Sequence, residues 1–417
     1  MISLIMVNEN QYRPYGALSQ EPPNPGLRLN AEITLKLLLK NNKKRCILKN
    51  EHSFIKLGSG IYMKILITGA LGSIGRYTAM ECLRKGHDVR LFDLKNPRTG
   101  RVARKFRARI RNTGDYLRRT EIVFGNLLNV AHVGEAMKGV DSVIHLAAVI
   151  PPQSERSPVM AKYINVTGTE ILINAIKKQT SRPRLVFSSS VAVYGDRLNT
   201  PEIEVTDALA ANDNDEYGKH KIESEDIIRR SGIDFVIFRL SAIFSAENLK
   251  MDPLMFEMPL DTSLEPCTAA DAAFALAEAA YNPLVLGKTL HLAGGKSFRT
   301  TYREFLEKMM SIFGMGRGFL PEQAFSLENF HCGFMNTEES ESLLRFQRAT
   351  LDDFYREITS SYRVRRFFIF LVRPLARMVL LLKSANYVTY LKHLSMQGVN
   401  AARLFLKQMF VGRLLQP

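Results

Sequence analysis

Cysteine is scarce in this chain and widely scattered: Cys46, Cys82, Cys267 and Cys332 are the only four, and no two form a C-x-x-C pair. That spacing argues against a zinc ribbon and against a disulfide scaffold, and fits reduced thiols in a cytoplasmic protein. Acidic residues are missing from one stretch altogether. Residues 361–417 hold ten Lys and Arg and no Asp or Glu. Long uninterrupted apolar runs are also missing. Ile33–Leu39 is too short to span a bilayer, and the apolar segment 365–383 is broken by Arg373, Pro374 and Arg377. No layout of basic start, apolar stretch and small-residue cleavage site is present, so nothing reads as a signal peptide.

The formal charge of +16 is therefore carried by the ends. The N-terminal 62 residues contribute +5 (nine basic, four acidic) and the last 57 contribute +10, which leaves +1 for residues 63–360. A near-neutral centre argues against nucleic acid as a partner of the core. The basic tail suits an anionic membrane surface. Residues 1–62, with Pro14, Pro22, Pro23 and Pro25 close together, are expected to be a disordered extension, or sequence upstream of a true start at Met63.

From Met63 onward, strand-like and helix-like stretches alternate, which predicts an α/β fold with a parallel sheet. The expected strands are 64–68, 89–92, 121–124, 142–146, 184–188, 235–239 and 289–292. Helices are expected at about 74–85, 130–138, 160–180, 216–231 and 269–281. Nine basic residues fall between Arg98 and Arg119 beside one acid, Asp115. They read as a solvated loop and helix face, with a site for anionic groups as the alternative.

The organising stretch is Lys64-Ile-Leu-Ile-Thr-Gly-Ala-Leu-Gly-Ser-Ile-Gly75. A buried strand runs into Gly69, Gly72 and Gly75, whose spacing permits a tight turn, close approach of a pyrophosphate and close helix–strand packing. Ser73 and Ile74 open the following helix, whose N-terminal amides would meet the phosphates. Asp93 ends the second strand 18 residues after Gly75, where a ribose-binding carboxylate belongs. His145-Leu146-Ala147-Ala148 ends the fourth strand in small residues that let backbone pass close to a bound ring. Asn165 lies early in the next helix. Ser188-Ser-Ser190 falls at the C-terminal edge of the fifth strand, where parallel sheets bind ligands. Tyr217 and Lys221 follow 27 residues after Ser190 and share one helix face. A phenol titrates near ~10, too high for a base at neutral pH, and a neighbouring ammonium would lower it.

With these residues in place, 63 to about 300 resembles an extended short-chain dehydrogenase/reductase of the NAD-dependent epimerase/dehydratase family. The resemblance implies a Rossmann-type doubly wound parallel sheet and bound NAD. Lys95 and Arg98 leave NADP open. It implies Tyr217 as acid/base, Lys221 as ribose ligand and modulator of Tyr217, Ser190 as a hydrogen-bond partner of the substrate oxygen, and Asn165 as support. Asp93 would hold the adenosine ribose. Gly69, Gly72, Ser73, Ile74, Gly75, Asn126, Leu127, Leu146, Ala147, Ala148 and Ser188 would line the cofactor. A homodimer is implied by the resemblance alone.

Three departures narrow the reading. Val191 and Ala192 stand where sugar dehydratases of the family carry Asp-Glu, which disfavours 4,6-dehydration. Asn126-Leu127 replaces Asp-Leu. The segment from Arg239 to Asp271 is short for a nucleotide-sugar enzyme. The expected organisation is a cofactor domain to 300, a substrate-side helical region at 301–360, with Phe334–Phe346 as its closing segment, and a basic amphipathic tail at 361–417. The expected activity is NAD-dependent epimerisation or oxidoreduction of a secondary alcohol in a sugar or nucleotide-sugar. The alternatives are a steroid- or isoprenoid-alcohol dehydrogenase at a membrane surface, and a nucleotide-binding scaffold without turnover; the expected location is the cytoplasm, with the inner membrane face as a peripheral site.

Overall fold

Ile65, Leu66 and Ile67 are all fully buried, and strand geometry sends their side chains to opposite faces. Ile65 and Ile67 enter a core with Ala79, Leu83, Phe106 and Leu276, whereas Leu66 enters another with Val133, Leu172 and Ile176. A strand with two apolar faces needs helices on both sides of its sheet. The computed structural model shows that arrangement and describes residues 62–396, apart from 249, 250, 252 and 329, together with Leu406. The expectations for residues 1–61 lie outside the described residues, as do those for 397–417 other than Leu406.

The central sheet has seven strands: β1 (Lys64–Thr68), β2 (Asp88–Asp93), β3 (Thr120–Phe124), β4 (Ser142–His145), β5 (Arg184–Ser190), β6 (Phe235–Leu240) and β7 (Thr289–Leu292). Their order is β3-β2-β1-β4-β5-β6-β7, and every pair is parallel. Ile65 pairs with Val89 on one side and Ser142 on the other, so the strand order reverses beside β1. That switch point puts the glycine turn and the end of β4 at one crevice.

The helices that position the site are α1 (Ser73–Arg84), α2 (Pro97–Ile110), α3 (Val130–Met137), α4 (Gly168–Lys177), α5 (Glu216–Arg230) and α6 (Ala269–Ala279). Helix α2 covers most of the basic stretch. Asn96 and Thr99 form a capping box at its start and Pro97 occupies its first turn. Ala103, Phe106 and Ile110 face the core while Arg101, Arg104 and Arg107 are exposed, which favours the solvated-face reading.

Residues beyond β7 add α7 (Tyr302–Ile312), α8 (Glu338–Leu344), α9 (Leu351–Leu371), α10 (Arg373–Leu381) and α11 (Ala385–Met396). They bury a separate, aromatic core that includes Phe256, Phe298, Phe313, Phe325, Phe354 and Tyr387. Helix α9 runs through residue 360, so the boundary expected there is not an element boundary: its Thr350 capping box starts the helix ten residues earlier. Arg377, one of the residues that break the apolar segment 365–383, is buried above the Phe319 ring at 5.9 Å, and burial lowers its pKa.

Candidate active site

The turn after β1 is built from backbone in close contact. Gly69 has φ +65°, and a Cβ there would lie 2.8 Å from the Ala147 N and Cα. A Cβ on Gly75 would lie 2.6 Å from the Gly69 carbonyl oxygen and 2.7 Å from the Ala70 Cα. Only glycine fits either position. Helix α1 begins with Gly72 as its cap, and no side chain caps it. The amides of its first turn therefore remain directed at the sheet edge. Ile74 packs against the core and Ser73 is half-buried.

Asp93 ties β2 to this turn. Its Oδ2 accepts the Leu71 amide at 2.8 Å and its Oδ1 accepts the Leu94 amide at 2.8 Å. Burial raises its pKa, and the two amides and Arg98 oppose the rise. Asn126 is exposed and its Oδ1 accepts the Leu128 amide at 3.0 Å, which closes its own turn. Leu127 is buried, with its side chain against Gly168. Its side chain thus packs under α4.

At the end of β4, one buried chain of hydrogen bonds reaches from the glycine strand to Asn165. The Thr169 hydroxyl donates to the Asn165 carbonyl at 2.7 Å, so it accepts from His145 Nε2 at 3.1 Å. That fixes the proton on Nε2 and leaves Nδ1 to accept from the Thr68 hydroxyl at 2.6 Å. Thr68 Oγ1 in turn accepts the Ala147 amide at 3.3 Å. Burial, then the charge of Lys221, lowers the His145 pKa to about 3, so the ring stays neutral. The Asn165 side chain clamps Val149, accepting its amide at 2.7 Å and donating to its carbonyl at 2.9 Å. Asn165 sits in a π-turn, Tyr163–Thr167, a distortion that recurs at functional sites.

Ser188, Ser190, Tyr217 and Lys221 converge at the end of β5. The Ser190 hydroxyl neighbours the Tyr217 phenol closely enough to pull its pKa down. Lys221 Nζ is buried, donates to the Ser188 carbonyl at 2.5 Å and lies 5.5 Å from the Tyr217 ring centroid. Ser188 Oγ donates to the His145 carbonyl at 2.9 Å. Burial lowers the Lys221 pKa to about 7, against the pull of Glu225. The Tyr217 phenol is raised above its ordinary value by burial, and the neighbouring Ser190 hydroxyl opposes that rise. The expected depression of the phenol by its neighbouring ammonium is not met in this arrangement, where burial is the dominant effect. The start of α5 is held by Asp215, which accepts the Gly218 amide at 2.8 Å, and by Glu155, which accepts the Glu216 and Tyr217 amides at 3.2 and 3.4 Å.

Sequence reasoning missed the group that fixes α5 to the sheet. Glu225 is fully buried and accepts Ser189 Oγ at 2.5 Å, Arg239 Nε at 3.1 Å and Arg239 Nη2 at 2.9 Å. Arg239 Nη1 donates to the Tyr194 hydroxyl at 2.6 Å. His291 Nδ1 donates to the Asn336 carbonyl at 2.8 Å, so its Nε2 accepts the Tyr194 hydroxyl at 2.6 Å. The signal was present in the helix: Tyr217, Lys221 and Glu225 stand at i, i+4 and i+8 on one face. The expected closing segment joins the network through Asn336, and its strand Phe334–Met335 pairs with Glu202–Ile203.

A seven-stranded parallel sheet, a glycine turn at its switch point and a Ser/Tyr/Lys cluster on the same edge define a Rossmann-type protein of the short-chain dehydrogenase/reductase kind. The model of the NAD dependent epimerase/dehydratase family matches residues 65–258. A UDP-glucose 4-epimerase of Klebsiella pneumoniae is 32% identical over 146 residues, 34% of this chain and 99% of that protein. The chain belongs to this family. A D-erythronate dehydrogenase of Cupriavidus necator is 30% identical over 197 residues, 43% of this chain and 55% of that protein. The chain spans about half the length of most curated relatives it matches. Among solved structures, a short-chain dehydrogenase/reductase superfamily protein from Agrobacterium tumefaciens with bound NAD has a TM-score of 0.56 at 22% identity, covering 72% of this chain and 98% of that one. A UDP-glucuronic acid 4-epimerase variant from Bacillus cereus, in complex with a UDP-sugar and NAD, has a TM-score of 0.60 at 16% identity, covering 72% and 99%. These likenesses show the fold.

Proposed function

We propose that this protein is an NAD-dependent epimerase or oxidoreductase acting on a secondary alcohol of a sugar or nucleotide-sugar. The observation that carries the reading is the Tyr217 ring 5.5 Å from Lys221 Nζ, which is held on the Ser188 carbonyl, on the sheet edge that also holds Ser190 and the glycine turn. The residues present fit a dinucleotide. Gly69 and Gly75 let the turn close into a tight cradle, since any Cβ would clash with the Ala147 or Gly69 backbone, the uncapped start of α1 suits a pyrophosphate, and Asp93 oxygens retain lone pairs for ribose hydroxyls. When bound, the nicotinamide supplies the site that accepts or returns hydride.

The chain's own groups handle the proton. Ser190 orients the substrate oxygen and Tyr217 exchanges a proton with it. Held as a neutral phenol by burial, Tyr217 is poised in its donor form. Lys221, with its pKa lowered to about 7, is the adjacent group able to change charge near neutrality. Val191 and Ala192 are buried in the turn after β5, so this reading excludes an acid–base pair for water elimination there. Arg239 is committed to Glu225 and Tyr194 and is not counted as a substrate ligand.

Among the described residues no helix is long and apolar enough to cross a membrane. Cys82, Cys267 and Cys332 are buried free thiols, which supports a reducing, cytoplasmic setting.

The test is to denature purified protein, identify any nucleotide released, and repeat with Tyr217→Phe. Stoichiometric NAD from both proteins, with sugar turnover lost in the variant, is the expected result and fits a retained cofactor. An empty protein that binds NAD and releases NADH to solution would favour a dehydrogenase, as the likeness to D-erythronate dehydrogenase suggests. No affinity for NAD or NADP, or unchanged turnover in Tyr217→Phe, would overturn the reading.

A further inference from the structure

The corner where α9 meets α10 exposes a concentrated apolar surface. Phe367, Phe368, Phe370 and Leu371 are 54–64% exposed, and Val372 and Leu375 continue the patch across the break between the helices. Single exposed apolar residues are ordinary, but this many large ones within nine positions are not. The chain on both sides of the corner is anchored. Tyr362, Leu380, Leu381 and Tyr387 are buried in the aromatic core, and Ser384 Oγ donates to the Ala324 carbonyl at 2.6 Å. The corner is therefore held facing outward, and turning it inward would expose that core.

The charges around the corner have one sign. Glu357 is the last acid of the chain, and Arg363, Arg365, Arg366, Arg373, Lys383 and Lys392 surround or follow the patch. Arg363, Arg366 and Lys383 are exposed. Among the described residues, no acid forms an ion pair with any of these three or with Arg373. The sequence adds Arg403, Lys407 and Arg413 beyond the described helices and still no acid.

We propose that this corner docks on an anionic lipid bilayer, with the phenylalanines and Leu371 entering the headgroup–acyl boundary and the arginines meeting lipid phosphates and carboxylates. The helix break at Val372, with Pro374 directly after it, makes this a shallow wedge and not a span. Charge selects the occupant. A second copy would bring the same positive field to the same patch, whereas an anionic surface complements it; each basic side chain near such a surface strengthens binding about fivefold.

The full chain should be floated with vesicles of phosphatidylcholine alone and of phosphatidylcholine mixed with phosphatidylserine. Binding is expected to the phosphatidylserine vesicles only and to fall steeply at high salt. Arg363→Gln with Arg366→Gln should weaken it by roughly 25-fold, two fivefold steps. Phe367→Ser with Phe368→Ser and Leu371→Ser should weaken it at least about tenfold. Both variants change exposed side chains and should melt with the parent, which keeps the reading separate from misfolding. Absence of binding to phosphatidylserine vesicles, equal binding to both vesicle types, or binding untouched by the serine changes would overturn the proposal. So would a dimer that the serine changes dissociate, because the patch would then belong to a second copy.

Discussion

Replacing Glu225 by Gln should cost most of the worth of the buried contact that fixes α5 to the sheet. Gln keeps the size of the side chain and removes its charge. Arg239, 3% exposed, would then hold a buried guanidinium without a counter-ion. Removing one partner of a buried pair costs about 3–5 kcal/mol. The second pair, Arg229 with Glu225, adds little because the Arg229 side chain is 37% exposed. At about 2.1 cal/mol/K per residue, the unit from Met63 to Pro417 unfolds with an entropy of roughly 0.75 kcal/mol/K. The variant should therefore melt about 4–7 °C below the parent in differential scanning calorimetry. The double variant Glu225→Gln/Arg239→Met should melt closer to the parent than the sum of the single changes, since it leaves no orphaned charge. The pH dependence has a definite sign. Burial alone would raise the Glu225 carboxyl, but Arg239, Ser189 and Arg229 together hold it below its ordinary value. A depressed acid contributes stability above its unfolded value of about 4.3 and loses it as pH falls through the folded one. That acid loss should shrink in Glu225→Gln. A shift under about 1 °C, or strict additivity in the double variant, would refute the claim that this pair anchors α5.

Gly75→Ala places a Cβ 2.6 Å from the Gly69 carbonyl, so the turn must move. A stability loss of about 1–3 kcal/mol in urea, with weaker NAD binding by calorimetry, is expected; unchanged binding would refute the cradle. Burial lowers His87, His145 and His291 to about 4, 3 and 4. The unfolded chain then binds more protons below about pH 6.5, so the urea midpoint should fall from pH 7 to pH 5, and ring resonances that titrate above pH 6 would contradict this. Lys221, lowered to about 7 by burial, binds its proton less tightly than in the unfolded chain. Stability of the nucleotide-free protein should rise from pH 7 toward pH 10 through this group, and Lys221→Met should remove that rise. An identical rise in the variant would assign it elsewhere.

Much of the fold was legible because its rules are local. Apolar runs such as Ile65–Ile67 and Val236–Phe238 mark strands buried on both faces, and all seven expected strands form within one or two residues of the expected bounds. The glycine turn was legible for the same reason: Gly69 and Gly75 answer to contacts within a short stretch and to one neighbouring strand. The site was legible only as an ordered set of residues. Tyr217 and Lys221 share a helix face by arithmetic, but nothing local says that the ammonium turns to the Ser188 carbonyl. Nor does anything local say that the Leu127 side chain packs against Gly168, 41 positions away.

The sequence by itself determined the period of the chain, its glycine turn, its helix-borne Tyr/Lys pair and the separation of a near-neutral centre from a basic tail. Each follows from residue type and spacing along the chain. Only the tertiary structure decided which charges are buried and paired. Arg239 meets Glu225, Tyr194 meets His291, and Arg377 turns inward while Arg363 stays in water. Those outcomes depend on desolvation, which is set by whatever the fold packs beside a group and not by its neighbours in the chain.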